Sequence, residues 1–209
     1  MSFPLHRYLL VFLASWTAMA AASAEDLFPN KNLDAAVRQY VFEKRNNDKP
    51  LTVQDVENIS TIVAKGKKIT NLAGLDKCRS LALLDLANNE IADLAPLKDL
   101  KNVQSLNLAK NKIVDLKPLA GLTALQYLQL ANNQVADLQP VSKLANLRSL
   151  YLSNNQLKDL TPVNGLTKLW SLYVDGNQLA GIGPVAKLTN LSSLDLRNNQ
   201  VADLGPIKG

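Results

Sequence analysis

The stretch Leu81–Asn102 reads LALLDLANNEIADLAPLKDLKN, and copies of it follow one another along the chain every 22 residues. The later copies begin at Val103, Leu125, Leu147, Leu169 and Leu191, the last of them shorter than the others. A degenerate copy, Ile59–Ser80, precedes the stretch and brings the number of units to seven. A fixed period of this length is the signature of a solenoid, in which each unit packs only against its neighbours.

Seven positions of each unit are apolar almost throughout the array. Counted from the first apolar residue, they are positions 1, 4, 6, 11, 14, 17 and 20, which in the second unit are Leu81, Leu84, Leu86, Ile91, Leu94, Leu97 and Leu100. The alternation around positions 4 and 6 predicts a short strand that is buried on one side. Stacked units place these strands side by side, about 4.8 Å apart, as a parallel sheet.

Asparagine occupies position 9 in six of the seven units, where the chain must turn inward after the strand. These residues are Asn89, Asn111, Asn133, Asn155, Asn177 and Asn199. An amide side chain both donates and accepts, so it can bond the unpaired backbone groups of the turn and of the next unit. We therefore expect a structural ladder that begins in the second unit, because Lys67 takes this position in the first.

Aspartate at position 13 precedes a Leu-x-Pro stretch in most units, as Asp93 does before Leu94-Ala95-Pro96. A carboxylate caps the free N–H groups of a tight turn, and proline is tolerated there because its missing N–H needs no partner. Short 3₁₀ turns on the convex side are the resulting prediction. A column of metal-binding carboxylates is the alternative, but no second kind of ligand accompanies the aspartates.

The pattern LxxLxLxxNxIxDLxPLxxL, together with the segment before it, resembles the 22-residue leucine-rich repeat of the internalin family of bacterial surface proteins. The resemblance covers residues 25–209. It implies an α/β solenoid in the form of a right-handed horseshoe, with parallel strands on the concave face and 3₁₀ turns on the convex face. It also implies that the concave face binds a protein.

Residues 1–24 have the features of a secretory signal peptide. Arg7 precedes an almost unbroken apolar run, Tyr8–Ala22, and Ala22-Ser23-Ala24 is a small-residue cleavage site. The run is shorter than the roughly 20 residues that span a membrane. We expect an exported mature chain, periplasmic or extracellular, that starts at Glu25 and has no stable membrane span.

Residues 25–58 do not match the repeat and are predicted to form a helical N-terminal cap. Leu33, Ala36, Val37, Tyr40 and Val41 recur at helical spacing after a possible N-cap at Asn32. Thr52 and Asp55 then have the spacing of a capping box for a second short helix, which places Val53 and Val56 on one face. Such a cap covers the apolar cross-section that a repeat array exposes at its end.

Information on function is expected at the solvent-facing strand positions 2, 3, 5 and 7, because the apolar positions are fixed by the fold. All aromatic residues of the repeat region fall on this face, in three successive units. The candidate binding residues are Tyr127, Arg148, Tyr151, Trp170 and Tyr173, with Asp175 and Asp195 beside them. Exposed Trp, Tyr and Arg are typical of protein-binding hot spots. Cross-strand packing that only stabilises the sheet is one alternative, and carbohydrate stacking is another.

Catalysis is not expected. The single histidine, His6, lies in the predicted signal peptide, so the mature chain lacks the base of most triads and the usual zinc ligand. Asp175 and Asp195 could form the carboxylate pair of a glycosidase, but neighbouring acids on a solvated surface usually have no such role. No cofactor or metal is predicted. No nucleic-acid partner is predicted either, since the Lys and Arg residues form no dense cluster. Cys78, the only cysteine, is expected to be a small buried hydrophobic residue.

Self-association is the third possibility. The last unit ends without a capping helix, so its apolar residues would line an uncovered end. They are Leu191, Leu194, Leu196, Val201, Leu204 and Ile207. An open strand edge can pair with another chain, which would give end-to-end association or a structural role in the cell envelope.

Overall fold

Seven three-residue strands, one from each repeat unit, form a single parallel sheet in chain order. The computed structural model describes residues 26–207, and the predicted signal peptide lies outside them. The strands are β1 (Thr61–Val63), β2 (Leu83–Asp85), β3 (Ser105–Asn107), β4 (Tyr127–Gln129), β5 (Ser149–Tyr151), β6 (Ser171–Tyr173) and β7 (Ser193–Asp195). Each residue pairs with its counterpart in the next unit, as Leu84 does with Leu106. The register equals the repeat period, so equivalent side chains form rows across the sheet, as predicted.

Short 3₁₀ turns follow the strands, one in each unit, and confirm the prediction. They span Leu75–Lys77, Ala95–Leu97, Lys117–Leu119, Gln139–Lys143, Thr161–Gly165, Gly183–Lys187 and Gly205–Ile207. Aspartates at position 13 cap five of these seven turns: Asp93 Oδ1 accepts from the backbone N of Ala95 at 2.8 Å, and Asp159 Oδ1 from that of Thr161 at 2.8 Å. The carboxylates therefore satisfy turn N–H groups.

The core is a continuous column of leucine, isoleucine and valine between the sheet and the turns. In the middle of the array the side chains are fully buried, as for Leu128, Leu150 and Leu172. The seventh unit differs, because β7 has a neighbouring strand on one side only among the described residues. Leu204 is 50% exposed and Ile207 is 43% exposed there.

The position-9 asparagines form the predicted ladder, but each is bonded to the preceding unit rather than to the next one. Asn133 Oδ1 accepts from the backbone N of Ile113 at 3.0 Å, and its Nδ2 donates to the carbonyl of Leu108 at 2.9 Å. The same Nδ2 reaches Leu130 O of its own unit at 3.0 Å.

The N-terminal cap contains the helix α1 (Lys31–Arg38), which packs against β1. Its N-cap is Asn30, whose Oδ1 accepts from Leu33 N at 2.9 Å. The prediction of Asn32 as the N-cap was therefore wrong by half a turn. Tyr40 was predicted on the buried helical face, but it lies beyond the end of α1, and its hydroxyl accepts from Val63 N at 2.8 Å. This bond pairs a backbone N–H on the strand at the cap end of the sheet.

The second helix, α2 (Val53–Val56), begins with the predicted box between Thr52 and Asp55. The Asp55 carboxylate accepts from the backbone N of Thr52 at 2.6 Å and from Lys44 Nζ at 2.5 Å. Burial raises the pKa of Asp55, but hydrogen bonds from Lys44 and Thr52 outweigh burial and hold that pKa below its usual value. Asp55 thus joins the loop after α1 to the start of α2.

Candidate functional site

The solvent-facing side of the sheet, which we call the strand face, is formed by positions 2, 3, 5 and 7 of the units. In β5 the central Leu150 is buried, whereas Ser149 and Tyr151 on either side of it are partly exposed. All seven predicted site residues lie on or beside this face. The structure divides them into three groups: a stack of tyrosines, a groove around Trp170, and two acids with separate partners.

Tyr127, Tyr151 and Tyr173 form a continuous row, which we call the tyrosine stack. The ring centroids of Tyr127 and Tyr151 are 5.3 Å apart at 46°, and those of Tyr151 and Tyr173 are 5.0 Å apart at 27°. Each such pair contributes about 0.5–1.5 kcal/mol beyond the burial of its area. Burial, with the neighbouring Tyr151, raises the pKa of Tyr127.

The side chain at position 5 has a local structural role in four of the seven units. Its side chain accepts a hydrogen bond from the backbone N–H two residues later, where the strand ends. Asp85 Oδ1 bonds Ala87 N at 2.9 Å, Asn107 Oδ1 bonds Ala109 N at 3.1 Å, and Gln129 Oε1 bonds Ala131 N at 2.8 Å. Asp195 Oδ1 does the same for Arg197 N at 3.1 Å. The fold therefore favours a short acceptor at this position.

Tyr151 and Tyr173 occupy position 5 in two neighbouring units, and a phenol cannot fold back to its own strand end. Neither makes the capping bond within residues 26–207, so these units give up a bond worth about 0.5–1.5 kcal/mol each. Stacking offsets part of that loss. The tyrosines are therefore not the choice that local strand geometry favours, which weakens the purely structural explanation of the aromatic row.

Trp170 is separate from the tyrosine stack. Its side chain is 64% exposed and lies in a shallow groove of about 450 Å³, which we call the Trp170 groove. The lining residues are Arg148, Ser149, Lys168, Trp170, Ser171 and Asn190. Arg148 and Trp170 stand at position 2 of adjacent units, and Trp170 N donates to Arg148 O at 2.8 Å. The groove thus has an aromatic wall, two cations and a polar rim.

Asp175 and Asp195 have separate partners. Asp175 accepts from the hydroxyl of Ser153, and Asp195 is paired with Arg197 Nη2 at 2.5 Å. The hydrogen bond from Arg197 holds the pKa of Asp195 below its usual range, whereas a general acid needs a raised pKa. The geometry favours two partnered surface carboxylates over a catalytic pair.

Other sites for chemistry are few in the part of the chain that the structure describes. Between residues 26 and 207, no three His, Cys, Asp or Glu side chains are placed to hold a metal ion, and no helix is long and apolar enough to cross a membrane. Cys78 is fully buried, and burial raises its pKa to about 12. Its thiol is therefore inert in the folded protein.

A second asparagine row was missed by the sequence reasoning. Asn102, Asn146 and Asn190 stand at position 22 of alternate units, and each donates to a backbone carbonyl of the unit before it. Their 44-residue spacing was the available signal. Lys168 holds the same position in the unit between the last two, and its Nζ donates to Asn146 Oδ1 at 2.7 Å. This row places a cation at the rim of the Trp170 groove.

The family model for leucine-rich repeats in two copies matches residues 101–143, 123–165 and 167–209. Among solved structures, internalin C2 of Listeria monocytogenes is 33% identical with a TM-score of 0.71, over 88% of this chain and 90% of its own. The chain is an internalin-like leucine-rich-repeat protein. The predicted family and horseshoe fold are thus confirmed.

Two further structures are similar to this internalin-like protein. InlF, another internalin of Listeria monocytogenes, is 30% identical with a TM-score of 0.72, over 87% of this chain and 60% of its own. A plant peptide hormone receptor, RGFR1, in complex with RGF2, is 26% identical with a TM-score of 0.54, over 59% of this chain and 22% of its own. Comparison with the sequences of curated proteins gives no match.

Proposed function

We propose that this protein is an exported, non-enzymatic interaction module that binds a protein partner through the tyrosine stack and the Trp170 groove. The observation that carries the proposal is the replacement at position 5. Two successive units have tyrosine at a position where four of the other five units have a capping acceptor, and an exposed tryptophan and arginine lie beside them. Residues that the fold does not favour, grouped on one exposed face, are better explained by a ligand.

The composition of the strand face supports a protein ligand. Tyr, Trp and Arg are the residue types enriched at protein interfaces and their hot spots. Tyrosine stacking also fixes the rings before binding, which lowers the conformational entropy that association would otherwise cost. The plant receptor among the similar structures forms a complex with a peptide hormone, so a related solenoid accepts a polypeptide ligand.

The test uses substitutions taken from sibling units, so that each new residue already fits its position. The variant combines Tyr127→Ser, Tyr151→Asn, Trp170→Gln and Tyr173→Asn, since Ser105, Asn107 and Gln104 occupy the equivalent positions of the third unit. Wild-type protein and variant serve as bait for proteins from the culture medium and from intact cell surfaces, and captured proteins are identified by mass spectrometry. We expect at least one partner to be retained by the wild type and lost from the variant.

A matched control removes an exposed aromatic elsewhere. Phe42 in the cap is 77% exposed, so Phe42→Ala deletes a comparable apolar surface away from the strand face. This control should keep the partner. Equal capture by the wild type and the sibling-unit variant, with both proteins folded by circular dichroism, would contradict the proposal.

Export is proposed from the composition of the first 24 residues alone. The apolar run and the Ala22-Ser23-Ala24 site favour cleavage before Glu25 by the general secretion machinery. Expression of the full chain in a bacterium with two membranes, followed by mass spectrometry of the periplasmic and medium fractions, should give a mature protein that starts at Glu25. Recovery of only the uncleaved chain would refute this assignment.

Glycan binding is the second candidate, favoured by the exposed indole of Trp170 above a polar rim of Ser149, Ser171 and Asn190. A glycan array probed with wild type and Trp170→Gln would separate it from protein binding: specific spots lost in the variant would favour the glycan.

Self-association through the partly exposed apolar residues of the seventh unit is tested by light scattering, where a strictly monomeric protein would exclude it.

A further inference from the structure

Position 2 carries a row of side-chain N–H donors over four successive units. The residues are Gln104, Gln126, Arg148 and Trp170, each 22 residues after the one before. Their strands are neighbours in the sheet, so the row spans roughly 14 Å at about 4.8 Å per strand. We call it the donor row. Two amides, a guanidinium and an indole differ in shape, but all of them donate hydrogen bonds.

The fold does not require these side chains. The backbone N of position 2 bonds the carbonyl of the preceding position 2, as Arg148 N does to Gln126 O at 2.8 Å and Gln126 N does to Gln104 O at 2.8 Å. Those bonds are independent of the side chain, and Ser60, Ala82 and Ser192 hold position 2 in the remaining units. The donors have therefore not been placed there by the repeat.

The side-chain N–H groups of the donor row are also unpaired among the described residues. Within residues 26–207, none of its four side chains donates to another protein group, and Arg148 forms no ion pair. Lys168 adds an ammonium group beside the row, and this group donates a hydrogen bond to the neutral amide of Asn146. On the opposite border of the strand face the charges are already matched, since Arg197 pairs with Asp195. Arg148 and Lys168 thus bring two positive charges without a carboxylate partner among the described residues to the same groove.

We infer that the donor row, with Lys168, recognises an acidic segment of the protein partner. A carboxylate accepts two bonds from a guanidinium, and charge-assisted bonds of this kind are about twice as strong as neutral ones. Amide and indole N–H groups on both sides of Arg148 donate to neighbouring carboxylate or carbonyl oxygens of the segment. The adjacent tyrosine stack takes the apolar side chains of the same segment, which favours a polypeptide over a purely polar polyanion. This inference rests on the proposed function and specifies the chemistry of its ligand.

The experiment selects ligands without prior choice, from a random 12-residue peptide library displayed on phage. The bait is the full chain, either wild type or the double variant Arg148→Gln/Lys168→Gln. A second bait, Tyr151→Asn/Tyr173→Asn, removes the tyrosine stack but leaves the donor row intact. We expect peptides selected on the wild type to contain at least about twice the Asp and Glu of the unselected library. Selection on Arg148→Gln/Lys168→Gln should return to the library composition.

The outcomes distinguish failure of the donor-row inference from failure of the proposed function. Peptides that require the tyrosines but show no acidic enrichment would overturn the donor-row inference and leave the proposed function standing. Peptides that bind Tyr151→Asn/Tyr173→Asn as well as the wild type, again without acidic enrichment, would count against both. Recovery of no peptide above background would overturn the inference as well.

A titration then measures the charge dependence directly. In the full chain carrying Trp16→Phe, Trp170 is the only tryptophan and its fluorescence reports occupation of the groove. We expect the best selected peptide to bind about tenfold more tightly than a copy with Gln and Asn in place of its acids. Arg148→Gln should cause a similar loss, whereas Arg79→Gln, an equal charge change outside the strand face, should cause little. Equal losses for both arginines, or tighter binding of polygalacturonate oligosaccharides than of the peptide, would overturn the inference.

Discussion

Replacement of Asn155 by alanine should be one of the most destabilising single changes in the array. The side chain is 8% exposed and lies between the fourth and fifth units. Its Oδ1 accepts from Val135 N at 2.9 Å, and its Nδ2 donates to Leu130 O and to Leu152 O, both at 3.0 Å. Alanine would leave Val135 N without a partner in a site that is nearly closed to water. Leu130 O and Leu152 O would each lose one of two bonds, because Asn133 Nδ2 and Asn177 Nδ2 also donate to them, both at 3.0 Å.

The magnitude follows from the number of groups that lose a partner. A buried N–H group without a hydrogen bond costs about 1–3 kcal/mol, and each carbonyl that keeps its other donor loses one bond worth about 0.5–1.5 kcal/mol. We therefore expect the free energy of unfolding to fall by roughly 2–4 kcal/mol. With a denaturant slope of about 2 kcal/mol/M, the urea midpoint should fall by roughly 1–2 M.

The control is Asn146→Ala, the same substitution on the exposed asparagine row. Asn146 makes one backbone bond, to Thr123 O at 2.9 Å, and water can replace it, so we expect a loss under about 1 kcal/mol. Urea unfolding is followed by circular dichroism for the whole array and by Trp170 fluorescence for the sixth unit. A difference between the two variants below about 1 kcal/mol would refute the assignment of the position-9 row as the main polar brace.

Three further changes test other parts of the structure. Gly74→Ala should reduce stability by roughly 2–4 kcal/mol, because Gly74 has φ +96° and an added Cβ would lie 2.1 Å from the carbonyl oxygen of Leu27 in the cap. Asp55→Asn should cost about 2 kcal/mol at pH 7, because it removes the charged bond to Lys44. Since the folded pKa of Asp55 lies below 3.8, that stabilisation is complete above pH 3.8 and is lost as the pH falls through the folded pKa, so wild type and variant should converge in acid. Cys78, with its pKa raised to about 12 by burial, should resist a thiol reagent at pH 8 until the array is unfolded in urea.

Each of these has its own control. Gly165→Ala adds a Cβ with no heavy atom within 4 Å and should change the urea midpoint little; a similar loss at both glycines would contradict the contact with the cap. Asp99→Asn alters an exposed acid 3.8 Å from Lys101 and should show little pH-dependent difference from the wild type. A pH-independent gap for Asp55→Asn would count against the charged bond. Rapid modification of native Cys78 would show that the first unit opens readily.

The repeat made much of the fold predictable because one pattern recurs in seven units. The strands, the 3₁₀ turns, and the asparagine and aspartate rows all follow from spacing and side-chain chemistry within a single unit. Within the repeat, the direction of the position-9 bonds was wrong and the position-22 row was missed. The error in the N-cap occurred where the repeat does not apply. In the cap, Asn30 and Asn32 are both plausible N-caps by residue type, and only the path of the chain ahead of α1 places the Asn30 oxygen at Leu33 N.

The candidate site was predictable as a set of residues but not as an arrangement. Strand alternation alone places Tyr151, Trp170 and Tyr173 on the exposed side of the sheet. It does not show that the tyrosines stack while Trp170 stands in a separate groove, because that depends on side-chain rotamers and on contacts between units. The capping bonds at position 5, which make the tyrosines exceptional, were also not visible in the sequence.

The sequence by itself determined the family, the period, the register of the sheet and the face on which variation is free. It could do so because each of these depends on the order of apolar and polar residues within one 22-residue unit. That order determines which side chains of the unit are buried. The tertiary structure decided which charges are matched and which are not: Asp195 has Arg197, whereas Arg148 has no carboxylate partner among residues 26–207. Pairing depends on distances between side chains of different units, and the period of the sequence does not specify those distances.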